Sequence, residues 1–180
     1  MSRHDRKLPR ILANQSRLSL EKAREILSYD PVTGRFHWNV GRSPKTRQGD
    51  PAGYVQNPSG YTYIEINGTA YHAARLAWLL ATGSWPSLFI DHKDGDRANN
   101  RLDNLREATA TENARNVRLG ARTSSGLKGA SWYGPNGKWA AKIRVNGRLL
   151  HLGYFATPQE AHEAYVKAAL HHFGDFMRAA

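Results

Sequence analysis

The sequence predicts an α+β protein of two modules, built from short antiparallel strands and a few helices. Two Asn-Gly dipeptides, at 67–68 and 146–147, stand between runs of alternating apolar and polar residues. Such runs around Asn-Gly are the sequence signal of a β-hairpin with a two-residue turn. Each hairpin is followed by a helical pattern, and residues 119–125 between the two patterns have the composition of a linker.

The composition is typical of a globular protein, and the net charge favours a polyanion as its partner. The chain has 180 residues, 40% hydrophobic and 23% charged, with a net charge of +11. This charge favours a nucleic acid as the partner. The sequence has no cysteine, which indicates no disulfide and a reducing compartment. No apolar run approaches the ~20 residues of a membrane span, and the N-terminus has no apolar core of a signal peptide.

The positive charge lies on both sides of a neutral centre. Residues 1–50 contain 11 Lys or Arg against 5 acids, residues 51–118 contain 7 of each, and residues 119–180 contain 8 against 3. A neutral centre is expected where carboxylates hold a metal ion. We expect a basic flexible arm at 1–17, a first domain at 18–118 that contains the neutral centre, and a basic second domain at 126–180.

The first module begins with a capped helix and a basic loop. Ser19 predicts a helix over residues 20–28, and 36–38 predict a short strand. Residues 41–50 form a loop whose basic side chains are candidates for phosphate contacts, although a merely solvated loop explains them equally well. These side chains are Arg42, Lys45 and Arg47.

A hairpin and an apolar helix precede the centre of this module. A two-residue turn at Asn67-Gly68 places Ile66 opposite Thr69 and Tyr63 opposite His72. Residues 73–81 predict a helix that packs into the core and ends at Gly83.

The candidate catalytic stretch is 90–116. Asp91 and His92 end an apolar strand, a loop rich in Asp, Asn and Gly follows, and a helical segment carries Asn113. Asp91 is a hard oxygen ligand for Mg²⁺ or Mn²⁺, and a neutral His92 is a base for activating water. Neighbours on a strand point to opposite faces, so the two side chains can take different roles.

Simpler interpretations of this stretch exist. Asp and Asn are common in turns, because their side chains satisfy their own backbone. The Asp-Gly-Asp triplet at 94–96 also suggests a calcium loop, but the alternating acids and distal Glu of an EF-hand are missing.

The order Asp-His, Asn-Leu and Asn over residues 18–118 resembles the HNH (ββα-metal) endonucleases, in their phage and intron homing form. The resemblance implies that His92 is the general base, Asn104 pins the loop, and Asp91 and Asn113 bind a divalent metal ion. Many relatives have a His directly before the Arg-Leu pair, where this chain has Ala74. His72 lies two residues upstream, and its substitution for that His stays open. The zinc ribbon of some relatives is not expected without cysteine.

The second module predicts a three-stranded sheet and one helix. The turn at Asn146-Gly147 pairs Val145 with Arg148, Arg144 with Leu149 and Lys142 with His151. A capping box, Thr157 to Glu160 with Pro158, begins the helix, and Gly174 ends it. The predicted buried stripe of the helix consists of Ala161, Ala164, Tyr165, Ala168 and His172.

The segments KGASW, GKWAAKIRV, HLGYF and PQEAHEAY resemble the AP2 DNA-binding domain over about residues 124–180. The resemblance implies that the exposed sheet face enters the major groove. Several plant-type arginines are missing, so base-reading details do not transfer. An ordinary half-exposed sheet remains the alternative, although such faces usually mix charges. The candidate DNA-binding residues are Lys128, Lys138, Lys142, Arg144, Arg148 and His151.

Together these patterns predict a metal-dependent endonuclease that cuts duplex DNA, site-specifically if it is of the homing type. We expect a monomer or weak dimer without a membrane partner, in the host cytoplasm of a phage or mobile element. One alternative is a sequence-specific DNA-binding regulator with a degenerate HNH fold, for which Ala74 is the main support. A basic RNA-binding protein is another alternative.

Overall fold

The computed structural model describes residues 8–115 and 125–176. The chain divides into two compact units, 1–113 and 114–180, each with its own hydrophobic core. Both units mix helices with small antiparallel sheets. The predicted linker lies outside the described residues except for its last position, Ser125.

Within the described residues, the first unit is built from four helices and seven strands. In chain order they are α1 (Leu8–Gln15), α2 (Leu20–Ile26), β1 (Leu27–Asp30), β2 (Arg35–Trp38), β3 (Tyr54–Val55), β4 (Thr62–Ile66), β5 (Thr69–His72), α3 (Ala73–Thr82), β6 (Phe89–His92), β7 (Leu105–Ala108) and α4 (Ala110–Arg115). The strands form three antiparallel sheets, β1–β2, β3–β4–β5 and β6–β7.

The predicted flexible arm is wrong for residues 8–15, which form α1. The composition of this stretch is polar, so its sequence did not predict the contact with Arg75 that fixes it. Gln15 is buried, and its side-chain oxygen accepts from Nε and Nη2 of Arg75. The first seven residues lie outside the described part of the chain.

Arg75 is a buried structural cation in α3. Its side chain is 5% exposed and donates to the carbonyl oxygens of Leu88 at 2.5 Å and Pro86 at 2.6 Å. Burial lowers the pKa of Arg75 to about 10, so it stays charged at neutral pH. Arg75 thereby ties α3 to the segment that enters β6.

Helix α2 is two residues shorter than predicted. Ser19 caps it as expected, accepting from the Lys22 N–H at 3.2 Å. The chain turns extended at Leu27, with φ −132° and ψ 138°, because residues 27–30 pair with β2. Strand pairing therefore overrides a helical pattern that continues to residue 28.

The hairpin and the helix after it are confirmed. Ile66 lies opposite Thr69 and Tyr63 opposite His72, as the two-residue turn predicts. Asn67 has φ 50°, a left-handed conformation that asparagine tolerates. Gly83 ends α3 with φ 83°, and its N–H donates to the Leu79 carbonyl.

The second unit is a three-stranded sheet covered by one long helix. Its elements are β8 (Ala130–Tyr133), β9 (Lys138–Val145), β10 (Arg148–Phe155) and α5 (Pro158–Phe173). The predicted pairs at the β9–β10 turn are all present, and a bulge lies between His151 and Gly153. Thr157 and Glu160 form the predicted capping box, and Gly174 ends the helix.

Two positional predictions in this unit are wrong. Lys128 lies in the turn before β8 and not on the sheet, because β8 begins only at Ala130. His172 is exposed, whereas Ala161, Tyr165 and Ala169 are the buried positions of α5. In the last turn it is Phe173 and not His172 that packs against the core.

No helix in residues 8–115 or 125–176 has both the length and the apolar character needed to cross a membrane.

Gly129 permits the close approach of α5 to the sheet. Its φ is +81°, and a Cβ built there would lie 2.1 Å from Cγ of Tyr165. Gly137 has φ +57° but nothing within 4 Å of the corresponding position. A side chain at either position would strain the backbone, but only a side chain at Gly129 would also overlap other atoms.

We expect Gly129→Ala to destabilise the second unit by about 1–3 kcal/mol more than Gly137→Ala, since only the former overpacks the core. Both substitutions carry the cost of a left-handed alanine, about 1–2 kcal/mol. Urea unfolding monitored by circular dichroism measures the difference. Equal losses for the two variants would contradict the steric role of Gly129.

Candidate active site

The candidate site is built on the antiparallel pair β6–β7, followed directly by α4. Asp91 lies opposite Arg106, and His92 lies opposite Leu105. The intervening loop, residues 93–104, is closed at its base by a hydrogen bond from the Lys93 N–H to the Asn104 carbonyl at 2.9 Å. The hairpin thus fixes two ionisable side chains at the mouth of a polar loop.

Asn104 links the two sides of this loop. Its Oδ1 accepts from the Asp94 N–H at 3.0 Å, and its Nδ2 donates to Asp94 Oδ1 and the Asn99 carbonyl, both at 2.9 Å. The Asn104 side chain is buried, so these bonds satisfy its amide within the protein. Asn104 therefore joins the end of the loop to residues near its start and in its middle, Asp94 and Asn99.

Asp94 is a charged anchor for the same loop. Burial acts to raise the pKa of Asp94, but hydrogen bonds from Asn99, the Asp96 N–H and Asn104 together keep it below its ordinary value. The Asn99 Nδ2 lies 2.7 Å from Asp94 Oδ2. The carboxylate is therefore ionised at neutral pH and occupied by donors from its own loop.

His92 is buried at 4% exposure and is oriented by Asn100. Its Nε2 lies 3.2 Å from Asn100 Oδ1, and Asn100 Nδ2 donates to the Ala98 carbonyl at 3.1 Å. With that amide orientation, Oδ1 can only accept, so Nε2 carries the proton. The lone pair of neutral His92 then lies on Nδ1.

Burial also favours the neutral imidazole. It lowers the pKa of His92 below its ordinary value, against the Asn100 hydrogen bond and the carboxylates of Asp94, Asp91 and Asp96, which act to raise it. A neutral imidazole at pH 7 is the form that a general base requires.

Asp91 is paired with an arginine on the neighbouring strand. It is 3% exposed, and its Oδ2 accepts from Arg106 Nε at 2.9 Å and Nη2 at 2.7 Å. The ion pair compensates a buried charge that is costly alone. Asp91 and His92 thus have different partners, as expected for neighbours on a strand.

A group of rings adjoins His92. The ring centroid of Tyr61 lies 6.1 Å from that of His92 and 5.2 Å from that of His72. The Tyr63 hydroxyl lies 3.1 Å from His72 Nε2, and the guanidinium carbon of Arg97 lies 4.7 Å from the Tyr61 ring centroid. Tyr61 therefore lies between two histidines and carries an arginine on its face.

The position of Ala74 is in the core. Ala74 is 5% exposed and belongs to the main apolar cluster of the first unit. His72 is half-buried at the end of β5 and contacts Tyr61 and Tyr63. Of these two positions, it is His72 that is linked to His92 through a shared ring.

Asn113 is a half-buried residue of α4. This helix begins with a reciprocal cap, in which the Thr109 N–H donates to Glu112 Oε2 at 2.8 Å and the Glu112 N–H donates to Thr109 Oγ1 at 3.3 Å. The order β6, β7, α4 places Asp91 and Asn113 on separate elements of one ββα unit.

The donors of Asp91 and Asn113 suit a hard divalent cation, since both supply oxygen. Arg106 already occupies Asp91 Oδ2, so an ion at this carboxylate would share it with the guanidinium. Among the described residues, no three His, Cys, Asp or Glu side chains are grouped so as to hold a metal ion. The expected ligands, one carboxylate and one amide, are not a group of that kind, because the amide of Asn113 is not among those four residue types.

The basic loop of the first unit is exposed at its three candidate residues, Arg42, Lys45 and Arg47. The guanidinium carbon of Arg42 lies 4.5 Å from the Trp38 ring centroid, and the Arg47 N–H donates to Asp50 Oδ2 at 2.7 Å. The loop therefore presents positive charge to solvent from a partly fixed backbone.

The sheet of the second unit presents basic and aromatic side chains on one face. Lys138, Arg144 and His151 are exposed and Lys142 is half-buried, whereas Arg148 is exposed at the start of β10. Arg144 Nη1 donates to the Gly147 carbonyl at 2.8 Å. The aromatic pairs on this face are His151–Tyr154 and Tyr133–Tyr154, with centroids 4.5 Å and 5.1 Å apart.

The sequence interpretation missed four residues of the first unit's site: Asn100, Arg106, Tyr61 and Arg97. The Asp91–Arg106 pair was recoverable, because antiparallel strands closing one loop place those positions opposite each other. Asn100 is one of several polar residues in its loop, and Tyr61 comes from a separate sheet. No local pattern distinguishes either residue.

Comparisons with known proteins identify relatives of this chain. Residues 71–115 match the family model described as HNH endonuclease. The chain is 39% identical over 72 residues to Protein 3.8 of Escherichia phage T7, covering 39% of this chain and 60% of that protein. It thus spans less than two thirds of that relative's length.

A second relative, from Acanthamoeba polyphaga mimivirus, is named as an uncharacterized HNH endonuclease. It is 27% identical over 147 residues, covering 81% of this chain and 67% of that protein. No solved structure matches the chain at a significant level. Residues 71–115 are therefore similar to HNH endonucleases, and this match together with the mimivirus relative supports a nuclease.

Proposed function

We propose that the chain is a metal-dependent endonuclease of the homing type that hydrolyses phosphodiester bonds in duplex DNA. The observation that carries this proposal is the orientation of His92. A buried imidazole donates from Nε2 to Asn100, and the residue before it on the strand is the buried Asp91. In this tautomer Nδ1 carries the lone pair that can accept a proton.

His92 is the general base in the proposed reaction. As the oxygen of a water molecule attacks phosphorus, a proton passes from that water to Nδ1 of His92. The new P–O bond forms in line with the bond from phosphorus to the 3′ oxygen. That second bond breaks, and the 3′ oxygen leaves with the bonding electrons. Asn100 keeps the ring oriented, and Asn104 keeps the loop closed around it.

HNH nucleases generally use divalent metal ions, and we propose Mg²⁺ or Mn²⁺ for this chain. Asp91 and Asn113 would hold the ion, and the ion would supply positive charge to stabilise the phosphate and the leaving oxygen. Arg106 orients the Asp91 carboxylate and offsets its charge before DNA arrives.

The rival function is a DNA-binding regulator with an inactive HNH fold. Its support in the sequence is Ala74, and that residue lies in the apolar core. The neutral, oriented imidazole of His92 is the form that catalysis requires, and this favours the enzyme.

The second unit is proposed to bind DNA through its basic sheet face, in the manner of AP2 domains. A three-stranded sheet presenting lysine, arginine and aromatic rings supports this assignment. Phosphate contacts from lysine would fix the register, and arginine is the side chain suited to reading guanine. The exposed loop with Arg42, Lys45 and Arg47 would add phosphate contacts in the first unit.

We further propose that the chain acts as a monomer or weak dimer in the cytoplasm of a host cell. The support is its similarity to a phage protein and a viral one.

Supercoiled plasmid tests the catalytic assignment. Wild type should nick it with Mg²⁺ or Mn²⁺. The nicking should stop on chelation with EDTA and resume when the ion is restored. His92→Ala should be slower by about 10²–10⁴-fold, the contribution of a general base. His171→Ala, on the exposed end of α5, is the matched control and should cut at the wild-type rate. Equal inactivity of wild type and His92→Ala, with DNA binding intact, supports the regulator instead.

Salt dependence tests the sheet face. Lys142→Ala should weaken binding about equally for all duplex sequences and reduce the slope of log K against log[salt] by about 0.9, the value of one phosphate contact. Lys167→Ala, on the exposed side of α5, is the control and should leave the slope unchanged. Equal slopes for the two variants would remove Lys142 from the interface.

A further inference from the structure

Arg97 is a candidate substrate contact to which no role has been assigned. It lies in the loop of residues 93–104, five positions after His92, and its side chain is exposed. The guanidinium is held at two points. Nη1 donates to the Ser59 carbonyl at 2.9 Å, and the guanidinium carbon lies 4.7 Å from the Tyr61 ring centroid. An exposed arginine is therefore fixed in place.

Within the part of the chain that the structure describes, Arg97 belongs to no salt bridge. The salt bridges of the described residues join Lys22 to Glu25, Arg101 to Asp103 and Arg106 to Asp91, and none uses Arg97. Asp94 and Asp96 are close in sequence, but each accepts hydrogen bonds within the loop.

The location of this cation suggests its ligand. Tyr61, on which the guanidinium lies, has its ring centroid 6.1 Å from that of His92. A guanidinium resting on an aromatic face keeps its edge N–H groups available, and those groups match the oxygens of a phosphate. Arg97 and His92 both contact the Tyr61 ring, so an anion bound by Arg97 would lie on the same part of the first unit as the proposed general base.

We propose that Arg97 binds a backbone phosphate of the DNA strand beside the cleavage point, and that Tyr61 is the positioning residue that holds the guanidinium. This inference rests on the proposed endonuclease function and adds a substrate contact to it. Tyr61 acts through Arg97, so its aromatic ring matters and its hydroxyl does not.

A purely structural role is the competing explanation, because Arg97 also ties its loop to Ser59. A structural tie affects thermal stability or kcat. A phosphate contact affects DNA affinity and its dependence on salt. The two roles are therefore separable by measurement.

The test measures the Kd for a short duplex in EDTA and the KM for plasmid nicking with Mg²⁺. Arg97→Ala should raise both by about tenfold or more, the effect of one charged hydrogen bond. It should also reduce the salt slope by about 0.9. Arg101→Ala is the matched control, since that arginine shares the loop but pairs with Asp103, and it should change neither constant by more than about twofold.

Tyr61 is tested by rescue and by a double-mutant cycle. Tyr61→Leu should weaken DNA binding, whereas Tyr61→Phe should bind with the wild-type Kd. The double variant Tyr61→Leu with Arg97→Ala should bind DNA no more weakly than Arg97→Ala alone. An Arg97→Ala variant with wild-type Kd, KM and salt slope overturns the inference, whatever its stability. The Kd needs no cleavage, so a wild type that binds but never nicks overturns the endonuclease while Arg97 is still judged by affinity.

Discussion

The first unit depends on the burial of two ionisable side chains at adjacent positions of one strand. Asp91 and His92 are 3% and 4% exposed, so each needs a partner inside the protein. The two side chains point to opposite sides of the strand, and each has a different hydrogen-bonding partner on its side. Arg106 on the paired strand meets the carboxylate, and Asn100 in the connecting loop meets the imidazole. The sheet and the loop are thus both required by two consecutive residues.

The polar loop is ordered by its own side chains, with little apolar burial. Asn104 closes it, and Asp94 collects donors from Asn99 and the backbone. Fixing backbone that buries little apolar surface is entropically costly, and these hydrogen bonds offset part of that cost. The same loop supplies Asn100, which meets His92, and Arg97, which is held by Ser59 and Tyr61. The catalytic and substrate-binding proposals therefore both concern residues of this loop.

Much of the fold was predictable where the signal was local. The hairpins at Asn67 and Asn146, the end of α3 at Gly83 and the capping box at Thr157 each depend on a few neighbouring residues. Features set by distant contacts were not predictable. Strand β1 interrupts a helical pattern to pair with β2, and α1 is held by a buried contact to Arg75. At the site, residue order indicated His92 and Asn104, but Tyr61 reaches His92 from another sheet.

The proposed chemistry requires that His92 is neutral at pH 7 and carries its proton on Nε2, bonded to Asn100. Long-range ¹H–¹⁵N NMR of the imidazole in wild-type protein measures this directly, with Asn100→Ala to assign the effect of the partner. The structure predicts the Nε2–H tautomer in the wild type and mixed tautomers in the variant. A charged ring at pH 7, or a proton on Nδ1, would contradict the account, because neither form leaves Nδ1 able to take a proton from water.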